Sequence, residues 1–375
     1  MENKTIVVAG HICLDITPTF LNDKINKVGD ILIPGHLIQV GKADVHVGGV
    51  VSNTGLALKF LGADVKLMGL VGKDAFGQMV LSQLDSMDAR EGMLISEEGD
   101  TSYSVVVAPN GIDRIFLHES GVNDIYRESN LNFDVIKQAS LFHFGYPPLM
   151  RTIYENNGEE LVKIFKHVKE LGLATSLDMA AVDENSPVGK VDWEGILERV
   201  LPYVDFFVPS IEELVYMTDK TRYYEWVKRA DGGDFTTILD PETDIRPVAD
   251  NLMEFGAKVV MIKCGAPGIY LKTASKDVLT DIGGGLAGNM AGWADKNIFE
   301  KSYKPEKVLS GTGAGDTSIA AFLYAITKGC SCEKCLQLAA ATGASCVEGY
   351  DALSGLKTFD VLEAKIAQGW EKNIF

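Results

Sequence analysis

Short apolar runs, each followed by a stretch of helical period, recur from one end of this chain to the other, and that alternation admits few folds. Strand-like runs fall at 5–9, 65–71, 141–144, 174–178, 206–208 and 259–263. Helix-like stretches fall at 52–61, 74–87, 159–171, 210–217, 247–255, 313–327, 332–347 and 361–373. Strand followed by helix followed by strand demands a crossover connection, so the pattern predicts a mostly parallel sheet covered by helices, an α/β fold. Two regions break the rhythm. Residues 30–47 and 101–118 lack helical periodicity, and the second reads as a hairpin turning at Pro109-Asn110-Gly111. They predict a small extra sheet over one end of the main one. The polar or glycine-rich stretches 219–246 and 283–305 read as surface excursions.

Composition narrows the function. A chain of 375 residues has room for one large α/β domain with insertions or for two domains. A net charge of −17 argues against a general nucleic-acid or membrane-surface binder, both of which need a basic face, so any polyanionic ligand must be held by local donors and a metal. No stretch reaches the ~20 apolar residues of a membrane helix, and the run in MENKTIVVAG is too short for a signal peptide. The expectation is a cytoplasmic enzyme. Six cysteines are too few for a disulfide scaffold in a chain of this size. Cys330, Cys332 and Cys335 offer three legs of a zinc site without an adjacent fourth ligand, so they read as free thiols near a helix start.

The most informative motif is Gly313-Ala314-Gly315-Asp316. The apolar run through Thr327 continues it as a helix, which places the glycines on a tight turn at a helix N-terminus. Free N–H groups and the positive dipole end favour an anion such as phosphate there. An acid beside that anion would repel it, unless Asp316 takes a proton from a hydroxyl that attacks the phosphate. A Walker A loop is excluded, because each Gly-Lys pair is followed by a residue other than Ser or Thr. The run Gly283 to Gly288 has dinucleotide-fingerprint spacing, but no apolar helix or ribose-binding acid follows it; it reads as a loop. Gly48-Gly49 just before a helix lets the backbone approach a ligand, and Asn53 one turn in offers a donor and an acceptor. That combination suits a polyol, but taken alone it reads first as a tight loop with a satisfied cap. Asp15, a few residues past the first strand, is placed for sugar hydroxyls or serves as a turn aspartate.

Taken together, GHICLD, GGVVSNTGLALKFLGADVKLMGLVGKDAFG, VDFFVPSIEEL, MIKCGAPGIYL and SGTGAGDTSIAAF resemble, in order and spacing over nearly the whole chain, the PfkB (ribokinase-like) family of carbohydrate kinases. The resemblance implies a three-layer α/β/α core spanning 1–375 as one kinase domain, with a β lid built from about 12–47 and 100–120. It implies ATP and Mg2+ as cofactors, a small sugar as substrate and a homodimer formed through the lid. By it, Asp316 is the catalytic base, the amides of Gly313, Ala314 and Gly315 form the anion hole, Asp15, Gly49 and Asn53 hold the sugar, Gly265 and Gly268 border the nucleotide, and Glu213 organises magnesium through water. Ser210 replaces the asparagine of the family's Asn-x-x-Glu motif. Ser310-Gly311 replaces an Asp-Thr tied to a monovalent-cation site, which puts potassium activation in doubt, and Cys13 stands where ribokinases proper carry an asparagine. A nucleoside kinase of the same fold, and a sensing protein without catalysis, are the rival readings.

Overall fold

The computed structural model describes residues 4–111 and 114–374. Residues 112 and 113, within the expected hairpin connection, lie outside the described residues, as do 1–3 and 375.

The strands, in chain order, are β1 (Ile6–Gly10), β2 (Cys13–Phe20), β3 (Val40–Gly48), β4 (Val65–Gly72), β5 (Met93–Ser96), β6 (Tyr103–Val107), β7 (Ile115–Glu119), β8 (Leu141–Gly145), β9 (Ala174–Asp178), β10 (Phe206–Phe207), β11 (Val259–Lys263), β12 (Gly268–Thr273) and β13 (Asn297–Lys301). Nine of them make the main sheet, in the order β13-β12-β11-β10-β9-β8-β1-β4-β5. The strands from β11 through β5 pair in parallel, while β12 and β13 join antiparallel at one edge. Alternate residues of each inner strand feed apolar layers on opposite faces. Ile6, Val8, Val259 and Met261 enter one, and Val7, Ala9, Val260 and Ile262 the other. A sheet buried on both sides requires such continuous apolar runs, and each fully buried Val, Leu or Ile side chain contributes about 1.5–3 kcal/mol.

Parallel pairing sets the strand C-termini along one edge of the sheet. Gly10 pairs with Gly145, and Gly145 with Asp178, so the residues that follow β1, β8 and β9 emerge side by side. Onto that edge the helix Ala314–Thr327 delivers its N-terminus. This helix is apolar all round because it lies inside one layer, packed against Val50–Leu61 and Cys332–Cys346. The second sheet, ordered β3-β2-β6-β7, stands over the same edge, and its β6–β7 hairpin pairs Tyr103 with Glu119 through Val107 with Ile115.

Several expectations need correction. The stretch 219–246 is not a surface excursion: the helix Lys220–Arg229, capped by Asp219, buries Trp226 to 2% exposure, and Phe235 and Ile245 pack in the same layer. Residues 283–305 bury Leu286, Met290 and Trp293 and supply the edge strand β13. Their apolar residues are spaced too sparsely among polar ones to show a period. The helix expected at 361–373 runs Phe359–Ala367 and stops before Gly369 (φ +88°), whose left-handed backbone ends it. Cys332 and Cys335 are buried free thiols on the helix Cys332–Cys346, and burial pushes the Cys332 thiol up to about 12.

Candidate active site

Between the two sheets lies a cleft of about 1460 Å³. Asp15, Gly49, Asn53, Glu213, Gly265, Gly313, Ala314, Gly315 and Asp316 all line it, so residues 15 to 316 of the chain meet there as the motifs imply. Gly48 and Gly268 do not line the cleft, yet both are required nearby. A Cβ on Gly48 would strike the Asp15 carboxylate, and one on Gly268 would strike the Glu300 carbonyl across the β12–β13 pair.

Gly313 is the N-cap of the helix and takes φ +74°, a conformation that costs a side-chain-bearing residue about 1–2 kcal/mol. In the next turn the Ala314 amide makes only a long bond to the Gly311 carbonyl (3.4 Å) and those of Gly315 and Asp316 have no backbone acceptor; Asp316 itself is only 6% exposed. Three donors hold its carboxylate: Asn53 Nδ2 to Oδ2 (3.0 Å), Thr54 Oγ1 to Oδ1 (3.3 Å) and the Tyr146 hydroxyl to Oδ1 (2.6 Å). A carboxylate offers about four acceptor sites, so one remains for a ligand. Burial pushes the Asp316 carboxyl above the usual carboxylate range; the Tyr146 hydrogen bond, Lys263 and Asn53 oppose it, and Glu213 adds to it. The carboxylate is thus held from two sides, by the helix Val50–Leu61 and by Tyr146 just after β8.

Beside Asp316, Lys263 ends β11 and pairs with Asp178, which ends β9, at 2.7 Å. A Cβ built on Gly315 would lie 3.7 Å from Lys263 Nζ, so this ammonium borders the helix N-terminus. Burial alone would lower the Lys263 pKa, but Asp178, Glu213 and Asp316 hold it above its ordinary value. Burial drives the Asp178 carboxyl up to about 8 against the pull of Lys263, with Glu213 and Asp316 pushing the same way. The neighbouring Glu212 rises to about 7, chiefly through burial. Glu213 also caps its own helix: Ser210 N donates to Glu213 Oε2 (2.8 Å), and Glu213 N donates back to Ser210 Oγ (3.3 Å). Ser210, in the place of the family's asparagine, therefore spends its side chain on the cap.

The opposite wall comes from the second sheet. Asp15 pairs across strands with His46 and with Ser104, and Ser104 pairs with His118, so the four stand in one row on the inner face. Burial raises the Asp15 carboxyl, opposed by His46, by the Cys13 thiol (Sγ to Oδ1, 3.3 Å) and by Ser104. Gly49 (φ +84°) passes so close to His11 that a Cβ there would lie 2.6 Å from Nδ1. Arg114, just before β7, approaches Gly311, whose hypothetical Cβ would lie 2.7 Å from a guanidinium nitrogen. The segment Ser310-Gly311 thus has a cation beside it.

Sequence reasoning missed Thr54, Tyr146, Asp178, Lys263, His11 and His118. Lys263 had a visible signal, a charged residue closing an otherwise apolar strand, and Asp178 closes a buried strand in the same way after Thr175 and Ser176. Among the described residues, no group of three or more His, Cys, Asp or Glu is arranged as a ready-made metal site, and no helix is long and apolar enough to cross a membrane.

A mostly parallel sheet flanked by helices, with a smaller sheet over the strand ends and a helix N-terminus facing a buried acid, defines the ribokinase-like class of folds. The Arabidopsis thaliana ribokinase complexed with ribose and ATP superposes with a TM-score of 0.68 over 96% of this chain and 98% of its own, at 20% identity. Residues 3–358 match the pfkB family carbohydrate kinases, and the chain belongs to that family of phosphotransferases. It is 23% identical to an uncharacterized sugar kinase of Archaeoglobus fulgidus over 80% of this chain and 98% of that protein. It is 25% identical to a nucleoside kinase of Methanocaldococcus jannaschii over 100% and 98% of the two lengths.

Proposed function

We propose that the protein transfers the γ-phosphate of ATP to a hydroxyl of a small sugar, with Asp316 as general base. One observation carries this reading: a buried carboxylate, gripped by Asn53, Thr54 and Tyr146, sits at a helix N-terminus in the same cleft as Asp15 and Gly49. Asp316 takes the proton of the attacking hydroxyl while the amides of Gly313, Ala314 and Gly315 receive the charge of the transferring phosphoryl group. Such preorganised donors are each worth ~3 kcal/mol in a transition state. Asp15, Gly49 and Asn53 orient the sugar, and Gly265 borders the nucleotide. The likeness to a ribokinase that holds ribose and ATP supports both ligands.

The oxygen-rich donor set fits magnesium. Asp178, Glu213 and Asp316 crowd a single ammonium, and hard divalent cations prefer such carboxylates, directly or through water. Bound there, Mg2+ would neutralise phosphate charge, with Glu213 as its organiser. Arg114 and Lys263, the latter paired with Asp178, bring cationic side chains close to the Gly311–Gly315 segment. The whole chain, 1–375, acts as one kinase unit in this reading, and the segments about 12–47 and 100–120 are its lid. The lid's outer face exposes Ile115 and Leu117 (57% for the latter), which fits a homodimer made through it. Six free cysteines fit a reducing, cytoplasmic setting.

The test is a coupled ADP-release screen over ketoses, aldoses, sugar acids and nucleosides, with and without potassium, on wild type and Asp316→Asn. Turnover of a sugar that the variant abolishes supports the assignment. Unchanged turnover in the variant removes Asp316 from the role of base, and turnover of nucleosides alone favours the nucleoside-kinase reading that the Methanocaldococcus relative keeps open.

A further inference from the structure

The side chain of Lys263 runs along the sheet edge from the end of β11 to Asp178 at the end of β9. Sheet order puts β10 between those strands, so the side chain spans the end of β10, where Pro209 and Ser210 pair with the Lys263 backbone. On its way it lies against Gly315. A Cβ added there would stand 3.3 Å from Lys263 Cδ, 3.4 Å from Cε and 3.7 Å from Nζ, so the stem follows the first turn of the helix Ala314–Thr327.

An ammonium carries three N–H donors. The Asp178 carboxylate accepts one at 2.7 Å, and among the described residues no second acceptor bonds Lys263 Nζ. Two donors are left over. The Lys263 side chain is 13% exposed and lines the cleft together with Gly313, Ala314 and Gly315, so a ligand can reach it. An ammonium that only holds the fold looks different. At the opposite end of the sheet, Lys169 Nζ bonds both carboxylate oxygens of Asp205 (3.0 and 2.9 Å) and the Asp281 carbonyl (3.3 Å), so protein acceptors meet it three times. Leaving charged donors unmet in a largely buried place costs free energy, which a ligand acceptor would recover.

Resting on the kinase reading above, we propose that Lys263 is a further catalytic residue, whose free N–H groups bond a non-bridging oxygen of the γ-phosphoryl group as it passes from ATP to the sugar, with Asp178 holding the ammonium in place. In that step the sugar oxygen bonds the γ-phosphorus while the bond to the ADP oxygen breaks. The hydroxyl proton goes to Asp316, and Lys263 keeps all of its own. The helix amides and the ammonium then face one group from adjacent sides, the first as fixed dipoles and the second as a full charge. Lys263 touches only the phosphoryl group that moves, so its contribution distinguishes ATP from ADP.

The test is calorimetric binding of ADP and of the non-hydrolysable ATP analogue AMP-PNP, with and without Mg2+, to the full-length protein. Wild type is compared with Asp178→Asn and with the double variant Lys263→Met, Asp178→Leu, which removes one charge of each sign and should keep the fold, as thermal melting would verify. In the double variant AMP-PNP affinity is expected to fall by about 10- to 100-fold, the range for a hydrogen bond to a charged group, with ADP affinity within about three-fold of wild type. Lys263→Gln carries the same expectation and serves where the double variant does not fold. Asp178→Asn keeps the ammonium and an acceptor for it, and should bind both nucleotides within about three-fold of wild type. Unchanged AMP-PNP affinity without Lys263, equal loss for both nucleotides, the same selective loss in Asp178→Asn, or binding of neither nucleotide by wild type overturns the proposal. The kinase reading fails separately. If wild type turns over no sugar while the selective loss is seen, the sugar acceptor falls and the γ-phosphoryl contact stands; if Asp316→Asn abolishes sugar turnover while the selective loss is absent, the base stands and Lys263 falls.

Discussion

The two walls of the cleft are built on opposite electrostatic principles. On the main-sheet side, Asp178, Asp316 and Lys263 crowd together beside Glu213 with perturbed protonation in all three, Lys263 paired with Asp178. On the second-sheet side, His11, Ser104, His118 and Asp15 line the cleft, Ser104 bonded to His118, and burial favours the neutral form of both imidazoles. Charge that must move or be neutralised during phosphoryl transfer belongs on a rigid doubly covered sheet, where dipoles and ammonium groups cannot drift. Selecting a neutral sugar needs directional acceptors instead, and a thin sheet with one exposed face suffices to carry them. In the proposed reading the chemistry falls on the main sheet and Asp15 on the second, with Gly49 and Asn53 at the start of the helix Val50–Leu61 between them.

The comparison is tested most severely at Asp316. Replacing it with asparagine should lower kcat by about 10³–10⁴ while leaving sugar affinity within a few fold, as measured by ADP release and calorimetry. A large loss of affinity with kcat intact would reverse the division of labour. Next in size, Lys263→Met should destabilise the protein by about 3–5 kcal/mol, because a buried carboxylate loses its counter-charge. Thermal melting reports it, and adding Asp178→Leu should recover much of the loss. Tyr146→Phe should act through protonation. The phenol lowers the Asp316 pKa, so without it the acidic limb of the kcat profile should move to higher pH. In wild type that limb should itself lie above the usual carboxylate range, since activity would be lost as pH falls through a pKa that burial raises. Smallest in energy, Ile115→Ser with Leu117→Ser should cost under about 1 kcal/mol of stability, since both side chains are exposed, yet give a monomer by light scattering. A variant that remains dimeric removes the lid interface from the proposal.

Much of this arrangement was legible before any coordinates. The alternation of apolar runs and helical stretches located β1, β4, β8, β9 and β11 to within a residue or two, because strands buried on both faces must be apolar throughout. Asp15, Asn53 and Asp316 announced themselves through local grammar: glycines at tight turns and polar residues at helix starts. Tyr146 and His118 had no such grammar. Tyr146 reaches Asp316 across 170 positions of sequence, from a left-handed backbone (φ +67°) that no glycine advertises. His118 matters only because β6 brings Ser104 beside it, a register visible in three dimensions alone. Likewise Trp226 and Trp293 look like isolated aromatics in polar text, and only packing reveals them as core. Gly268 shows the converse: its spacing matched a nucleotide loop, while its location answers to the neighbouring strand.

The reciprocal cap between Ser210 and Glu213 gives the main-sheet wall a built-in reporter. Because Glu213 Oε2 occupies the Ser210 amide at 2.8 Å, a cation that draws this oxygen out of the cap would release that amide to solvent. Hydrogen exchange at Ser210 should therefore accelerate as divalent metal is titrated in, tracking occupancy without a nucleotide, a sugar or turnover.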